Sequence, residues 1–206
     1  MSIRGRLFAS VYDWLTAGAE EAGLRARRER LLAGAKGRVL EIGAGTGANL
    51  PFYAADVELT VAEPEAPMAR RLAKRLRDRR PNTEIVHAPA EHLPFADAQF
   101  DVVVSTLVLC TVVDQPTALR ELRRVLKPGG RLLFIEHVRS DDPKLARWQD
   151  RVNGFSRFTA CGCNCNRATL DAIRTAGFAI ASLEQGEFPK APKFVRPLIT
   201  GIAESN

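Results

Sequence analysis

Three glycines on alternate positions, Gly43, Gly45 and Gly47, directly follow the short β-prone run Arg38-Val-Leu-Glu-Ile42, and this pairing is the tightest constraint on how the chain can fold. A buried strand that runs into such a turn has to change direction without side chains, because only glycine takes the left-handed backbone at no steric cost. A helix is expected to begin at about Gly47. The free N–H groups of a helix start can hold an anion, and the missing side chains let a ligand come close to the backbone. The turn therefore predicts a bound cofactor.

The turn alone leaves the cofactor open. Gly43, Gly45 and Ala48 satisfy the dinucleotide fingerprint, whose third position can be Ala, so a pyrophosphate fits here as well as the amino-acid carboxylate of S-adenosylmethionine. A P-loop is excluded, since no Gly-Lys-Ser/Thr follows. Beyond the turn, strand and helix patterns alternate, with strands over 58–62, 84–88 and 101–105 and a last parallel one over 131–136. Helices are expected over 64–79, 117–126, 143–158 and 167–176, the second ending in a left-handed stop at Lys127-Pro-Gly-Gly130. This alternation predicts an α/β fold on a parallel sheet. Two closing strands, 178–183 and 198–203, have no helix between them and should pair antiparallel.

With 206 residues, 46% of them hydrophobic, the chain can bury a sizeable core as a single domain over 1–206. Residues 1–36 read as a helical extension or lid ahead of a 37–206 core, with an apolar face through Tyr12 and Trp14 and a second helix bearing Arg25, Arg27, Arg28 and Arg30. The net charge of +6 favours anionic partners, yet the basic residues spread over several helices and no nucleic-acid partner is expected. No stretch has the length of a transmembrane span and the start lacks a secretory signal, which predicts a cytoplasmic protein with no membrane anchor. Three of the four cysteines stand in Cys161-Gly-Cys163-Asn-Cys165. Their alternate spacing lacks the Cys-x-x-Cys pair of zinc sites, and a fourth ligand would have to be Cys110 or a histidine, so free thiols and no bound metal are expected.

Taken together, Glu41-Ile-Gly-Ala-Gly-Thr-Gly47, an acid after strand two at Glu63, Ala90-Glu91-His-Leu-Pro-Phe95, Phe100-Asp101-Val-Val-Val104 and Leu126-Lys-Pro-Gly-Gly130 resemble the class I S-adenosylmethionine-dependent methyltransferases. Gly47-Ala-Asn-Leu-Pro-Phe-Tyr53, Ser105-Thr-Leu-Val-Leu-Cys110, Glu136-His-Val138 and Gly162-Cys-Asn164 followed by Arg167 resemble the branch of the methyltransferase-like seven proteins, thiol S-methyltransferases, and their bacterial relatives. The resemblance implies a Rossmann-like sheet of seven strands, mostly parallel, in the order 3-2-1-4-5-7-6 with helices on both faces. It implies S-adenosylmethionine as cofactor, bound by Glu41, Gly43, Ala44, Gly45, Gly47, Glu63, Pro64, Ala90, Glu91, Ser105 and Thr106. Glu63 would accept from the ribose hydroxyls. Pro89 stands where many relatives carry an adenine-binding Asp, which leaves that contact to Ala90 and Glu91.

The implied acceptor is a small molecule, a thiol first, with C-, N- or O-methylation of a quinone-like or phospholipid-like compound, or a non-catalytic partner subunit, as alternatives. Tyr12, Leu107, Cys110, Cys163, Asn164 and Arg167 are the candidate acceptor contacts. A thiol near neutrality is already partly thiolate, and a base is optional. His137, ending strand five beside the cofactor, and Asp13 are the candidates where one is used. Asn164 or Asn166 is expected to cap the helix that follows.

Overall fold

The computed structural model describes residues 16–159 and 162–205. Seven strands form one sheet in the order β3-β2-β1-β4-β5-β7-β6. β1 (Arg38–Ile42), β2 (Glu58–Ala62), β3 (Glu84–Val86), β4 (Phe100–Thr106) and β5 (Leu126–His137) run parallel, while β7 (Pro197–Ser205) lies antiparallel between β5 and β6 (Phe178–Glu187). The expected order and the antiparallel closing pair are both present. All five parallel strands therefore end on one edge, and the loops that leave them meet there.

The sheet is covered on both faces, which is why its central strands read as unbroken apolar runs. Leu40, Ile42, Val103, Leu132 and Phe134 face α3 (Gln115–Val125), which presents Ala118, Leu119, Leu122 and Val125. On the other face Val39, Val102, Val104, Leu133 and Ile135 join Leu72 and Leu76 of α2 (Ala66–Arg79) and the N-terminal helical pair. That pair is a π-turn, Glu20–Leu24, running into α1 (Arg25–Leu32), and it buries Leu24, Leu31 and Leu32. The remaining helices, α4 (Pro143–Thr159) and α5 (Thr169–Thr175), lie between β5 and β6 in the chain.

Two local expectations fail. No regular helix starts at Gly47: the chain passes through turns into a single 3₁₀ turn, Leu50–Phe52, before β2. Gly47 keeps a left-handed φ of +88° and Pro51 removes a backbone donor, so the helical ladder is never begun. The stop after α3 also differs. The helix ends at Val125 and Leu126 is already extended, so Gly129, φ +73°, lies within β5. Leu126 pairs with Phe100 and Arg131 with Val102, so Lys127–Gly130 bulges out opposite one residue, Asp101, which Lys127 Nζ meets at 2.6 Å.

β7 carries one glycine whose reason is packing. A Cβ on Gly201 would lie 2.5 Å from the Ser182 carbonyl oxygen and 2.6 Å from the Phe134 ring, so neighbours on both sides would have to move. Gly201→Ala is expected to destabilise the fold by roughly 1–3 kcal/mol through overpacking. A urea midpoint unchanged from the parent would show that the sheet yields there more easily than this packing allows.

Candidate active site

At the end of β1 the chain makes its turn through three left-handed glycines, Gly43, Gly45 and Gly47, with φ of +53°, +58° and +88°. A Cβ on Gly43 would stand 2.6 Å from Val108, in the loop after β4. The turn therefore packs directly against the loop from the next strand in the sheet, and a side chain would separate them. Gly45 N–H donates to Glu63 Oε2 at 2.7 Å and Glu65 N–H to Oε1 at 2.8 Å. Burial holds the Glu63 carboxyl above its ordinary pKa, against the pull of these two backbone donors. Pro64 follows it, exposed, and Ala44 is buried.

Beneath the turn lies a polar network the glycine motif does not announce. Glu41, only 2% exposed, accepts from Asn49 Nδ2 and Tyr53 Oη, each at 2.9 Å. Burial lifts its carboxyl pKa from 4.5 to about 7, opposed by those two donors and by Arg28. Arg28 of α1, 3% exposed, donates to Asn49 Oδ1 at 2.8 Å and Thr106 Oγ1 at 3.0 Å, and through Nε to Glu20 at 3.0 Å. The N-terminal helix thus reaches the strand ends through a buried guanidinium that joins β1, β4 and the turn.

The ends of β4 and β5 are fastened by a second acid. Glu136 Oε1 accepts from Ser105 Oγ at 2.7 Å and from the backbone N–H groups of Val108 and Leu109, both at 3.1 Å. Ser105 is fully buried and its hydroxyl is committed to this bond, whereas Thr106 is joined to the Arg28 network. Leu107 adopts φ +61°, which lets the loop turn sharply so that the next two amides meet the carboxylate.

Cys110, His137 and Cys163 meet beside this loop, from the loop after β4, the end of β5 and the loop before α5. His137 Nε2 lies 2.7 Å from Cys163 Sγ, and all three side chains are buried. Hydrogen bonding from Cys110 draws the Cys163 thiol down to about 5, opposed by burial and assisted by His137. The same Cys163 bond, with burial, pushes Cys110 well up. Burial alone would lower His137; the Cys163 contact and the Glu136 charge carry it above its ordinary value. Arg167 donates to the carbonyls of Leu109 and Val112, each at 2.6 Å, and Asn164 donates through N and Nδ2 to the Cys110 carbonyl at 2.9 and 3.2 Å.

Several expectations change here. Neither Asn164 nor Asn166 caps α5: its N-cap is Ala168 with no side-chain bond, while Asn166 donates to Asp150 at 3.0 Å. Ala90 is buried, and Glu91 Oε1 accepts from the amides of Val113 at 2.6 Å and Asp114 at 3.2 Å, at the start of α3. Tyr12, Asp13 and Cys161 lie outside the described residues. Cys165, fully buried, turns away from the other thiols toward Gln149 O and Asn153 Oδ1, at 3.6 and 3.7 Å.

Sequence reading missed Arg28, Asn49, Tyr53, Glu136 and Gln149 as site-building residues. Glu136 did carry a signal, a charge inside the apolar run of β5. Gln149 fastens the far side: fully buried, its Nε2, with two N–H donors, sits 2.8–3.1 Å from the carbonyl oxygens of Val138, Cys165 and Phe194, and its Oε1 accepts from Ser140 N–H at 2.8 Å. A wide surface cleft also opens near Arg38, Glu58 and Glu84, at the starts of the strands and so at the opposite edge from the glycine turn.

The family described as a methyltransferase domain matches residues 40–134. Human thiol S-methyltransferase TMT1A is 36% identical over 177 residues, 83% of this chain and 72% of that protein. The ubiquinone/menaquinone biosynthesis C-methyltransferase UbiE of Ectopseudomonas mendocina is 40% identical over 119 residues, 55% of this chain and 46% of its own length. Among solved structures, a putative methyltransferase from Bacillus halodurans superposes with a TM-score of 0.73 at 16% identity, covering 87% of this chain and 97% of its own, a likeness of fold.

The buried Glu41 sets a pH dependence. Its folded pKa of about 7 lies above the unfolded 4.5, so between these values the folded chain holds a proton that the unfolded chain releases. Stability from this group is therefore greatest below pH 4.5 and falls by about 3 kcal/mol as pH rises to 7. Glu41→Gln should remove that fall and gain on the parent across the interval. Denaturation midpoints measured from pH 5 to 7.5 that stay parallel for the two proteins contradict it.

Proposed function

The chain belongs to the class I S-adenosylmethionine-dependent methyltransferases, in the branch that holds the thiol S-methyltransferases TMT1A and TMT1B, and from that premise we propose that its acceptor is a small thiol. The reading is carried by one observation: the loop after β4, the end of β5 and the loop before α5 gather two cysteines and a histidine, on the loop whose Val108 packs against Gly43 of the glycine turn. A soft, polarisable lining of this kind suits a soft sulfur nucleophile better than a hydroxyl or an amine. Similarity to TMT1A over most of the chain supports the same class.

The residues at the strand ends fit the cofactor. Gly45 leaves an open backbone, where a Cβ would meet only the Gly43 carbonyl oxygen at 3.9 Å, while Gly43 and Gly47 let the turn pack on Val108 and on Leu50 and Leu72. Glu63, whose two oxygens each accept from one backbone donor among the described residues, keeps lone pairs for the ribose hydroxyls. Ala44, Pro64, Ala90 and Glu91 would border the nucleoside, and Glu41, Ser105 and Thr106 would support the methionyl end from below. When bound, S-adenosylmethionine supplies an electrophilic methyl group on a sulfonium. The chain's own task is to hold a thiol in line with that carbon and to exclude water, an arrangement that can contribute about 7–11 kcal/mol. Leu107, Cys110, Cys163, Asn164 and Arg167 would form the acceptor wall. His137, 2.7 Å from Cys163 Sγ, would hold that sulfur in the acceptor wall, as a positioning residue. The extension before residue 37, whose Arg28 ties α1 to Thr106, would border the methionyl end; Tyr12 and Asp13, the other contacts expected of it, lie outside the described residues.

A product assay with S-adenosylmethionine and matched thiol, hydroxyl, amine and quinol acceptors tests the reading. Methylation of the thiol well above its hydroxyl counterpart is expected; methylation of the hydroxyl or quinol with the thiol left untouched overturns it. Glu63→Ala should weaken cofactor binding by about 3 kcal/mol, roughly 150-fold, through loss of charged hydrogen bonds. Calorimetry that finds the parent affinity in that variant removes Glu63 from the cofactor site.

A further inference from the structure

We propose that Cys110, His137 and Cys163 form a three-ligand site for a soft divalent cation, zinc before others, whose fourth position receives the acceptor thiol. The proposal deepens the thiol reading above and rests on it for the identity of the fourth ligand.

One donor comes from each of three separate stretches, and the donor atoms all lie within 4.8 Å of one another. The residues are 1%, 3% and 8% exposed, in chain order. Two thiolates and one imidazole are a donor set of zinc sites that keep an open position for water or substrate. Sulfur donors exclude magnesium and calcium, which take oxygen. With a divalent cation, two thiolates and a neutral imidazole sum to no net charge, so the assembly can be buried without an unpaired charge. Spacing alone groups Cys161, Cys163 and Cys165 and predicts no bound metal, whereas the topology brings Cys110 and His137 to Cys163 and Cys165 bonds Gln149 O and Asn153 Oδ1.

The surroundings hold the donors in place. Asn164 clamps the Cys110 carbonyl, Glu136 clamps the Leu109 amide, and Ser156 Oγ donates to the Cys163 carbonyl at 3.0 Å. His137 turns its Nε2 to the Cys163 sulfur, at 2.7 Å, so this ring nitrogen is the one placed to take the cation.

Three protein ligands leave one position of a tetrahedron. Cys163 is the most exposed of the three, and an acceptor thiol arriving at that side would lose its S–H proton to water while its sulfur lone pair forms the bond to the cation. A coordinated thiol is deprotonated outright, which gives the nucleophile without a general base. The loop that carries Cys110 packs on Gly43 through Val108, so this sulfur would sit next to the cofactor turn.

The test uses the full chain, reduced and stripped with a chelator, titrated with Co²⁺ and then Zn²⁺ in the absence of cofactor. One equivalent of cobalt should bind with a sulfur-to-cobalt charge-transfer band and tetrahedral visible bands, and zinc should displace it. Cys110→Ser and Cys163→Ser should each weaken zinc binding by more than the ~10–100-fold expected of an outer-shell partner, while Cys165→Ser leaves it unchanged. A small thiol should shift the cobalt bands where its hydroxyl analogue does not. Absence of the charge-transfer band in the parent protein overturns the proposal even if a serine variant fails to fold, and equal affinity in Cys163→Ser and Cys165→Ser overturns it too. No shift with thiol overturns the open fourth position. Thiol methylation by protein that takes up no metal sinks the cation and keeps the function; a stoichiometric cobalt site in a protein that methylates only hydroxyl or carbon acceptors does the reverse.

Discussion

A carboxylate removed from water has to be paired, and three such acids stand at the carboxyl edge of this sheet. Glu41 near the end of β1, Glu63 just beyond β2 and Glu136 near the end of β5 are all nearly inaccessible. Each binds the loop that leaves its own strand or a neighbour's, although Glu136 Oε2 has no partner among the described residues and burial raises the pKa of all three. Glu41 holds Asn49 and Tyr53, Glu63 holds the amides of Gly45 and Glu65, and Glu136 holds Ser105 and the amides of Val108 and Leu109. Losing the donor to any one would leave a buried charge or force a protonation, at a cost of several kcal/mol. The loops are thereby held as firmly as the strands they leave, and an edge that would otherwise be mobile becomes a preorganised site.

This arrangement explains why some of the structure was legible in the sequence and some was not. Glycine spacing and alternating apolar runs report local backbone demands and burial on both faces, and they yielded the parallel strands, the sheet class and the turn. They could not report pairings made across the fold. Arg28 reads as one of four arginines on a basic helix, yet it is 3% exposed while Arg25 and Arg30 face solvent. What separates them is Asn49 and Thr106, distant in sequence and invisible to periodicity. The helix expected at Gly47 failed for a related reason: Asn49 is drawn inward by Glu41 and Arg28, which uses the stretch for a polar network where a helical turn was anticipated.

The cysteine loop shows the same limit from the other side. Spacing along the chain grouped Cys161, Cys163 and Cys165, because they are neighbours in sequence. The fold regroups them. Cys163 joins Cys110 and His137, while Cys165 is secured among Gln149 and Asn153 as a buried thiol with local partners. Alternation in an extended stretch sends successive side chains to opposite sides, so residues 163 and 165 would share a side only if Asn164 were extended with them. The side-chain amide of Asn164, between them, bonds the Gly162 and Cys110 carbonyls.

The two ends of the site are built from different material, and this bears on how a shared fold can serve different acceptors. The cofactor end rests on strand termini and their acids, where loss of a donor leaves a buried carboxyl without its partner. The acceptor end rests on loops tied largely by neutral clips, among them Gln149 to backbone carbonyls, Gln115 to Leu109 O and Thr169, and Asn164 to Cys110 O, with Glu136 and Arg167 as the charged ties on the loop after β4. A neutral clip lost or moved costs about 1–3 kcal/mol, well below the penalty for stranding a buried charge. Substitution can therefore reshape the acceptor wall while the cofactor end stays fixed. It follows that the identity of the acceptor has to be sought in Leu107–Cys110, His137 and residues 162–167, the stretches whose backbone these clips hold.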